Sequence, residues 1–133
     1  MSTSRILVSS GSEFESAVGY SRAVRVGPLV VVSGTTAPGA DIGEQTREVL
    51  HRIEIALVEA GVMLGDVVRT RIFVTDISRW RDVAAVHAEV FGQIRPAATM
   101  VEVAALIEPG LLVEIEADAY SPHAGNVPSA SGR

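Results

Sequence analysis

The chain has 133 residues, 47% of them hydrophobic and 20% charged, enough for one domain with a buried core and too apolar for intrinsic disorder. Its net charge is −5 and its 11 basic residues are scattered without a run, so binding to a phosphate backbone is not expected. All 11 are Arg and there is no Cys, which excludes Schiff-base and P-loop lysines, thiol catalysis, disulfides and cysteine-ligated zinc.

No basic segment followed by an apolar stretch opens the chain, and the longest apolar runs are shorter than a membrane span needs. A cytoplasmic protein without a signal peptide is therefore expected. Residues 5–9 (RILVS) predict a short strand, and the polar, Gly-containing stretch 10–18 reads as a loop. Residues 20–26 (YSRAVRV) and 29–33 (LVVVS) predict a β-hairpin around Gly27 and Pro28. A loop over 34–40 leads to Asp41, which can cap a helix with Glu44 in the capping-box position. That helix should reach about Ala60. Thr46, Val49, Leu50, Ile53, Ala56, Leu57 and Ala60 recur at helical spacing on one face. Glu48 and Arg52 make an i,i+4 pair on the other side, and Gly61 suits the position after the end.

Residues 67–75 (VVRTRIFVT) predict a strand with Val68, Thr70, Ile72 and Val74 on one face and Arg69, Arg71, Phe73 and Thr75 on the other. Ser78 can cap a second helix through about Phe91, whose stripe is Trp80, Val83, Ala84, His87, Val90 and Phe91, with Trp80 in the core. Residues 99–106 and 111–120 predict two last strands, joined by a turn at Pro109–Gly110. In the final one Val113, Ile115 and Ala117 point one way and Glu114, Glu116 and Asp118 the other. From residue 121 the composition is that of a disordered tail, which leaves residues 1–120 as a single domain without internal repeats.

This order predicts an α+β, two-layer domain: five or six strands with two helices on one face, including the βαβ pattern. The opposite face would carry Arg71, Phe73, Met100, Glu102 and Glu114. That mixture is too apolar for water and too charged for a monomer core, so association of subunits with charges paired at the seams is expected.

Five segments in order resemble the Rid family, also called the YjgF/YER057c/UK114 family. VVVSGTTAP (30–38) resembles its strand, Ser-Gly and loop; EQTREVLHRIEIALVEAG (44–61), with Gln45, resembles its first helix. GDVVRTRIFVTDISRW (65–80) resembles its central strand followed by Thr-Asp, and RPAATMVEVAAL (95–106) and LVEIEADA (112–119) its last two strands. The resemblance covers about residues 20–120. It implies a chorismate-mutase-like fold and a homotrimer whose three sheets make a central barrel. It also implies three inter-subunit clefts for small metabolites, and no metal or organic cofactor. The activity implied is hydrolysis of reactive enamines and imines such as 2-aminoacrylate and 2-iminopropanoate.

Active members read Pro-Ala-Arg-Ser at the start of the penultimate strand, and that Arg holds the substrate carboxylate. Pro96, Ala97, Ala98 and Thr99 stand there, so the bidentate anchor is missing. His87 stands where the family has Asn on the second helix, and Met100 lies beside Ala98 on the same strand. Tyr20, the Ser33–Gly34 pair and Glu114 match cleft positions.

Imine hydrolysis needs a positioned water, a proton source for nitrogen and a grip on the carboxylate. Glu114 can orient the water, Tyr20 can donate a hydrogen bond, and backbone N–H groups near Gly34 can receive an anion. Arg71, mid-strand on the open face, is the first candidate for a replacement anchor, unless it pairs with Glu114 or Glu116 at a seam; Arg22 is the second. His87 is either a satisfied histidine in the core or interface, or an acid/base group. His51 and His123 should face solvent, and three scattered histidines offer no metal spacing. Two functions fit: a small-molecule hydrolase of the imine deaminase type, or a non-catalytic trimer that binds a metabolite or another protein in the same clefts. A ribonuclease or translation inhibitor fits the acidic composition less well.

Overall fold

A computed structural model describes residues 4–122. Strand β1 (Arg5–Val8) is followed by helix α1 (Glu13–Val18), then strands β2 (Ala23–Val26) and β3 (Leu29–Thr35). Helix α2 (Ile42–Glu59) leads to β4 (Val67–Val74), helix α3 (Trp80–Phe91) to β5 (Ala97–Glu102), and the chain returns through β6 (Val113–Tyr120). The six strands make one sheet in the order β1-β2-β3-β6-β4-β5. Every neighbouring pair is antiparallel except β4 and β5, the parallel pair that α3 connects. The fold class is the α+β sheet expected, with a third, short helix, α1, in place of the loop expected over 10–18. The signal for it is local. Ser12 caps α1 by accepting from the Phe14 N–H at 3.2 Å, and Gly19, at φ 93°, ends it in the left-handed region that a side chain would resist.

The hairpin forms as the turn residues dictate. Val26 pairs with Leu29, so Gly27 and Pro28 alone make the turn, with Gly27 at φ 58°. Helix α2 starts where Asp41 accepts from the Glu44 N–H at 2.9 Å. It stops with the Gly61 N–H on the Val58 carbonyl and the Val62 N–H on the Leu57 carbonyl, a paired closure that needs Gly61 at φ 89°. The buried guanidinium of Arg25 donates to the Ala60 carbonyl at 3.0 Å and so places a cation at the negative end of α2.

The core lies between the helices and one face of the sheet. The predicted stripe of α2 is buried against it, with Val49, Ile53 and Leu57 fully so. Ala23, Val30, Ile72, Val74, Val113, Ile115, Ala117 and Ala119 meet it from the strands. The Val, Leu and Ile side chains among them each contribute about 1.5–3 kcal/mol on burial.

Four expectations need correction. Val68 is exposed rather than inward, because Val67 pairs with Ala119 and Arg69 with Asp118, a bulge that ejects the residue between them. Met100 and Glu102 do not belong to the open face. They lie opposite Ile72 and Val74 in the parallel β4–β5 register, so they share the helix-covered side. Met100 packs against the core there, and Glu102 accepts from the Ile77 N–H at 3.0 Å. Trp80 is 43% exposed, with the Arg81 guanidinium 4.5 Å above its ring. Helix α3 begins at Trp80 after a 3₁₀ turn, Ile77–Arg79, capped by Asp76 rather than Ser78. The expected tail lies mostly outside the described residues, as does His123.

Candidate functional site

The site begins at an irregularity of β3. Val32 pairs with Ala117 and Thr35 with Ile115, so Ser33 and Gly34 form a bulge against β6. A bulge turns the backbone out of the ladder and re-aims what lies beside it. Here Glu114 of β6 lays its carboxylate across Gly34, in the space that any Cβ at Gly34 would fill. Glycine at this position is a condition for where Glu114 sits.

An open groove of about 840 Å³ runs past this point. Tyr20, Arg22, Gly34 and Glu114 line it together. Residues of α1 and the loop before it, Ser9 to Ser12 and Phe14, form one wall. Ile55 and Ala56 of α2 and Ile107 and Leu111 of the β5–β6 connection supply apolar surface. That connection is held down by Gln45, whose buried amide donates to the Gly110 carbonyl at 2.9 Å and accepts from the Leu112 N–H at 2.8 Å.

Charge in the groove is arranged around Arg22. Its Nη1 donates to the Gly34 carbonyl and to Thr35 Oγ1, both at 2.9 Å, and its Nη2 reaches the Tyr20 hydroxyl at 3.5 Å. Its Nε is buried without a hydrogen-bond partner, and the nearest carboxylate oxygen, of Glu15, stands 3.9 Å away. Glu15 is itself buried and accepts from the Ser9 hydroxyl and from the N–H and hydroxyl of Ser10. Burial works against its charge. The Ser10 and Ser9 hydrogen bonds and Arg22 outweigh that and hold its carboxyl below the ordinary range. Glu114 goes the other way. Burial and the neighbouring Glu116 push it up, and Arg22 only partly offsets them. Two carboxyls near one guanidinium are thus shifted in opposite directions, Glu15 toward the charged form and Glu114 toward the protonated one.

The other candidate residues fall elsewhere. The Ser33 hydroxyl donates to the Ser21 carbonyl at 2.6 Å and ties β3 to the start of β2. Arg71 bonds Glu116 at 3.2 Å and Asp118 at 3.1 Å on the open face of the sheet and does not line the groove. His87 Nε2 meets Thr70 Oγ1 at 3.0 Å, its ring lies 4.8 Å from that of Phe91, and burial lowers its pKa. Ala98 is opposite Thr70 on the edge strand β5, so His87, Ala98 and Met100 gather at that edge and not at the groove. Glu15 and Phe14 are site residues the sequence reading missed. The pattern Ser12-x-x-Glu15 is the capping-box signature that could have found them. Among the described residues no group of His, Asp or Glu is placed to hold a metal.

A two-layer α+β domain with an open groove beside a strand bulge is the class that fold and site define. The chain matches the family model described as Endoribonuclease L-PSP over residues 10–121. The crystal structure of Rv2704 from Mycobacterium tuberculosis, described as a member of the YjgF/YER057c/UK114 family, is 74% identical, with a TM-score of 0.88 over 89% of this chain and 100% of that one. An uncharacterized protein of Streptomyces coelicolor is 37% identical over 85% of this chain and 90% of its own. The 2-iminobutanoate/2-iminopropanoate deaminase of Salmonella typhimurium is 33% identical over 74% of this chain and 84% of its own. The chain belongs to the YjgF/YER057c/UK114 family, with its chorismate-mutase-like fold.

Proposed function

We propose that the protein is a hydrolase of small imines and enamines, working in the cytoplasm as a homotrimer with its groove at the subunit boundary. The observation that carries this reading is the meeting of Tyr20, Arg22, Gly34 and Glu114 in one groove, with Glu114 shifted toward a proton-transfer range. The relative named 2-iminobutanoate/2-iminopropanoate deaminase supports the substrate class.

The chemistry follows from those groups. Glu114, ionised, takes a proton from a water as the water oxygen attacks the C=N carbon, the electron pair of the double bond goes to nitrogen, and Glu114 gives that proton to the nitrogen. The resulting carbinolamine loses ammonia as its hydroxyl proton is passed back through the same carboxylate, and a carbonyl forms. The Tyr20 hydroxyl, polarised by Arg22, donates a hydrogen bond to the substrate. In the trimer a neighbour's β5 edge, with Ala98, Met100 and His87 behind it, would close the groove.

Ala98, where the resemblance places an arginine in active members, favours a second reading: a trimer that binds a metabolite without turning it over. Hydrolysis of freshly generated 2-iminopropanoate, measured with and without the protein, separates the two. Acceleration that Glu114→Ala removes while the oligomer persists supports the hydrolase. Ligand-dependent thermal stabilisation without turnover supports the binder.

A further inference from the structure

We infer that Glu15 is a positioning residue of the groove: it holds Tyr20 twice, at its backbone and, through Arg22, at its hydroxyl, so that the phenolic proton is presented to the ligand. The inference deepens the proposed function and rests on Tyr20 being a hydrogen-bond donor in that groove.

Helix α1 has little else to seat it. Glu15 is its one buried residue, Phe14 lines the groove and Val18 is 68% exposed, so apolar burial does little to fix where the helix lies. The Glu15 carboxylate supplies the seat instead. Its Oε1 accepts from the Ser9 hydroxyl at 2.9 Å, and its Oε2 accepts from the Ser10 N–H at 3.2 Å and from the Ser10 hydroxyl. Oε2 also pairs with Arg22 at 3.9 Å, across from the Nε that has no hydrogen bond. The two side chains are only 14% and 7% exposed, so water would compensate poorly for a lost partner. Without the Glu15 charge, Arg22 would keep Glu114 as its counter-charge and be drawn toward it, away from Tyr20.

Two paths lead from Glu15 to Tyr20. The Glu15 carbonyl accepts from the Gly19 N–H at 2.8 Å and from the Tyr20 N–H at 2.9 Å, which fixes where Tyr20 leaves the helix. At the other end Arg22 is held by its backbone, whose N–H donates to the Val8 carbonyl, and by Nη1 on the Gly34 carbonyl and Thr35 Oγ1. Its Nη2 then reaches the Tyr20 hydroxyl at 3.5 Å. A guanidinium can only donate, so the Tyr20 oxygen accepts and its single proton is left for an acceptor on the ligand. A residue on a six-residue helix thus sets the orientation of a hydroxyl in the groove without touching the ligand.

Hydrogen exchange on the full chain tests the seat, and a double-mutant cycle tests what it does. In Glu15→Gln the Gly19 and Tyr20 amides should exchange at least about tenfold faster while those of α2 and β6 keep their rates. Glu13→Gln, an exposed change on the same helix, should leave all of them unchanged. Ser10→Ala keeps both charges and should speed the same two amides by a smaller factor, a reading that stands even if Glu15→Gln does not fold. Unchanged exchange at Gly19 and Tyr20 in both variants would overturn the inference. For 2-iminopropanoate, Glu15→Gln and Tyr20→Phe should each lower kcat/KM at least about fivefold, and the double variant should fall no further than the lower of the two. Effects that multiply would overturn the inference and leave Glu15 a purely structural residue. No turnover by wild type would remove the hydrolase reading, and the exchange result alone would then decide for or against Glu15.

Discussion

A methyl group at Gly34 would be driven into the Glu114 carboxylate. Gly34→Ala should therefore move the acid without disturbing the core, and a displacement of this kind can cost on the order of 10²-fold in rate. The expected outcome is a fall in kcat of that order with the thermal midpoint nearly kept, read by steady-state kinetics beside calorimetry. His87 gives a second effect at this scale. Burial depresses its pKa below the ordinary 6.5, so the folded state favours the neutral ring. The stability this gives is full above pH 6.5 and is lost as pH falls through that value, because the unfolded chain takes up the proton first. His87→Gln should flatten the fall in thermal midpoint between neutral pH and about pH 5.5. An unchanged slope would assign that fall to other groups.

At the scale of elements, the connection from β5 to β6 has no regular structure of its own, yet it supplies Ile107 and Leu111 to the groove. Gln45 of α2 is what fixes it. Gln45→Leu strands the Gly110 carbonyl and the Leu112 N–H and should cost about 1–3 kcal/mol. Urea unfolding measures that cost, and a raised KM should accompany it. Helix α2 and the hairpin were legible in the sequence because periodicity, caps and turn residues agree there. The bulge at Val68 and the placement of Met100 were not, since a one-residue slip and a parallel edge pairing reverse a face without altering composition. Half of the site was legible for the same kind of reason. Tyr20 and Arg22 lead into β2, and Gly34 and Glu114 lie on β3 and β6, which are neighbours in the sheet. Glu15 depends on how a six-residue helix folds back over them.

Taken as a whole molecule, the chain leaves Val31, Arg71, Phe73, Glu116 and Asp118 on a sheet face that no helix covers. The homotrimer proposed would bury it. Light scattering should then give a mass about three times the 14.0 kDa chain, and Phe73→Glu should reduce it toward one. A wild-type monomer would leave the groove without its proposed second wall, and the edge of β5 unpaired.

Glu114 as the proton-transfer group is the central claim, and the pH dependence of kcat/KM for 2-iminopropanoate hydrolysis tests it most directly. Wild type should lose activity as pH falls through a group titrating above the ordinary glutamate value of 4.5. Glu114→Gln should lose that limb together with about 10²–10⁴-fold in rate. A Glu114→Gln variant that turns over at the wild-type rate, with the limb intact, would contradict the account.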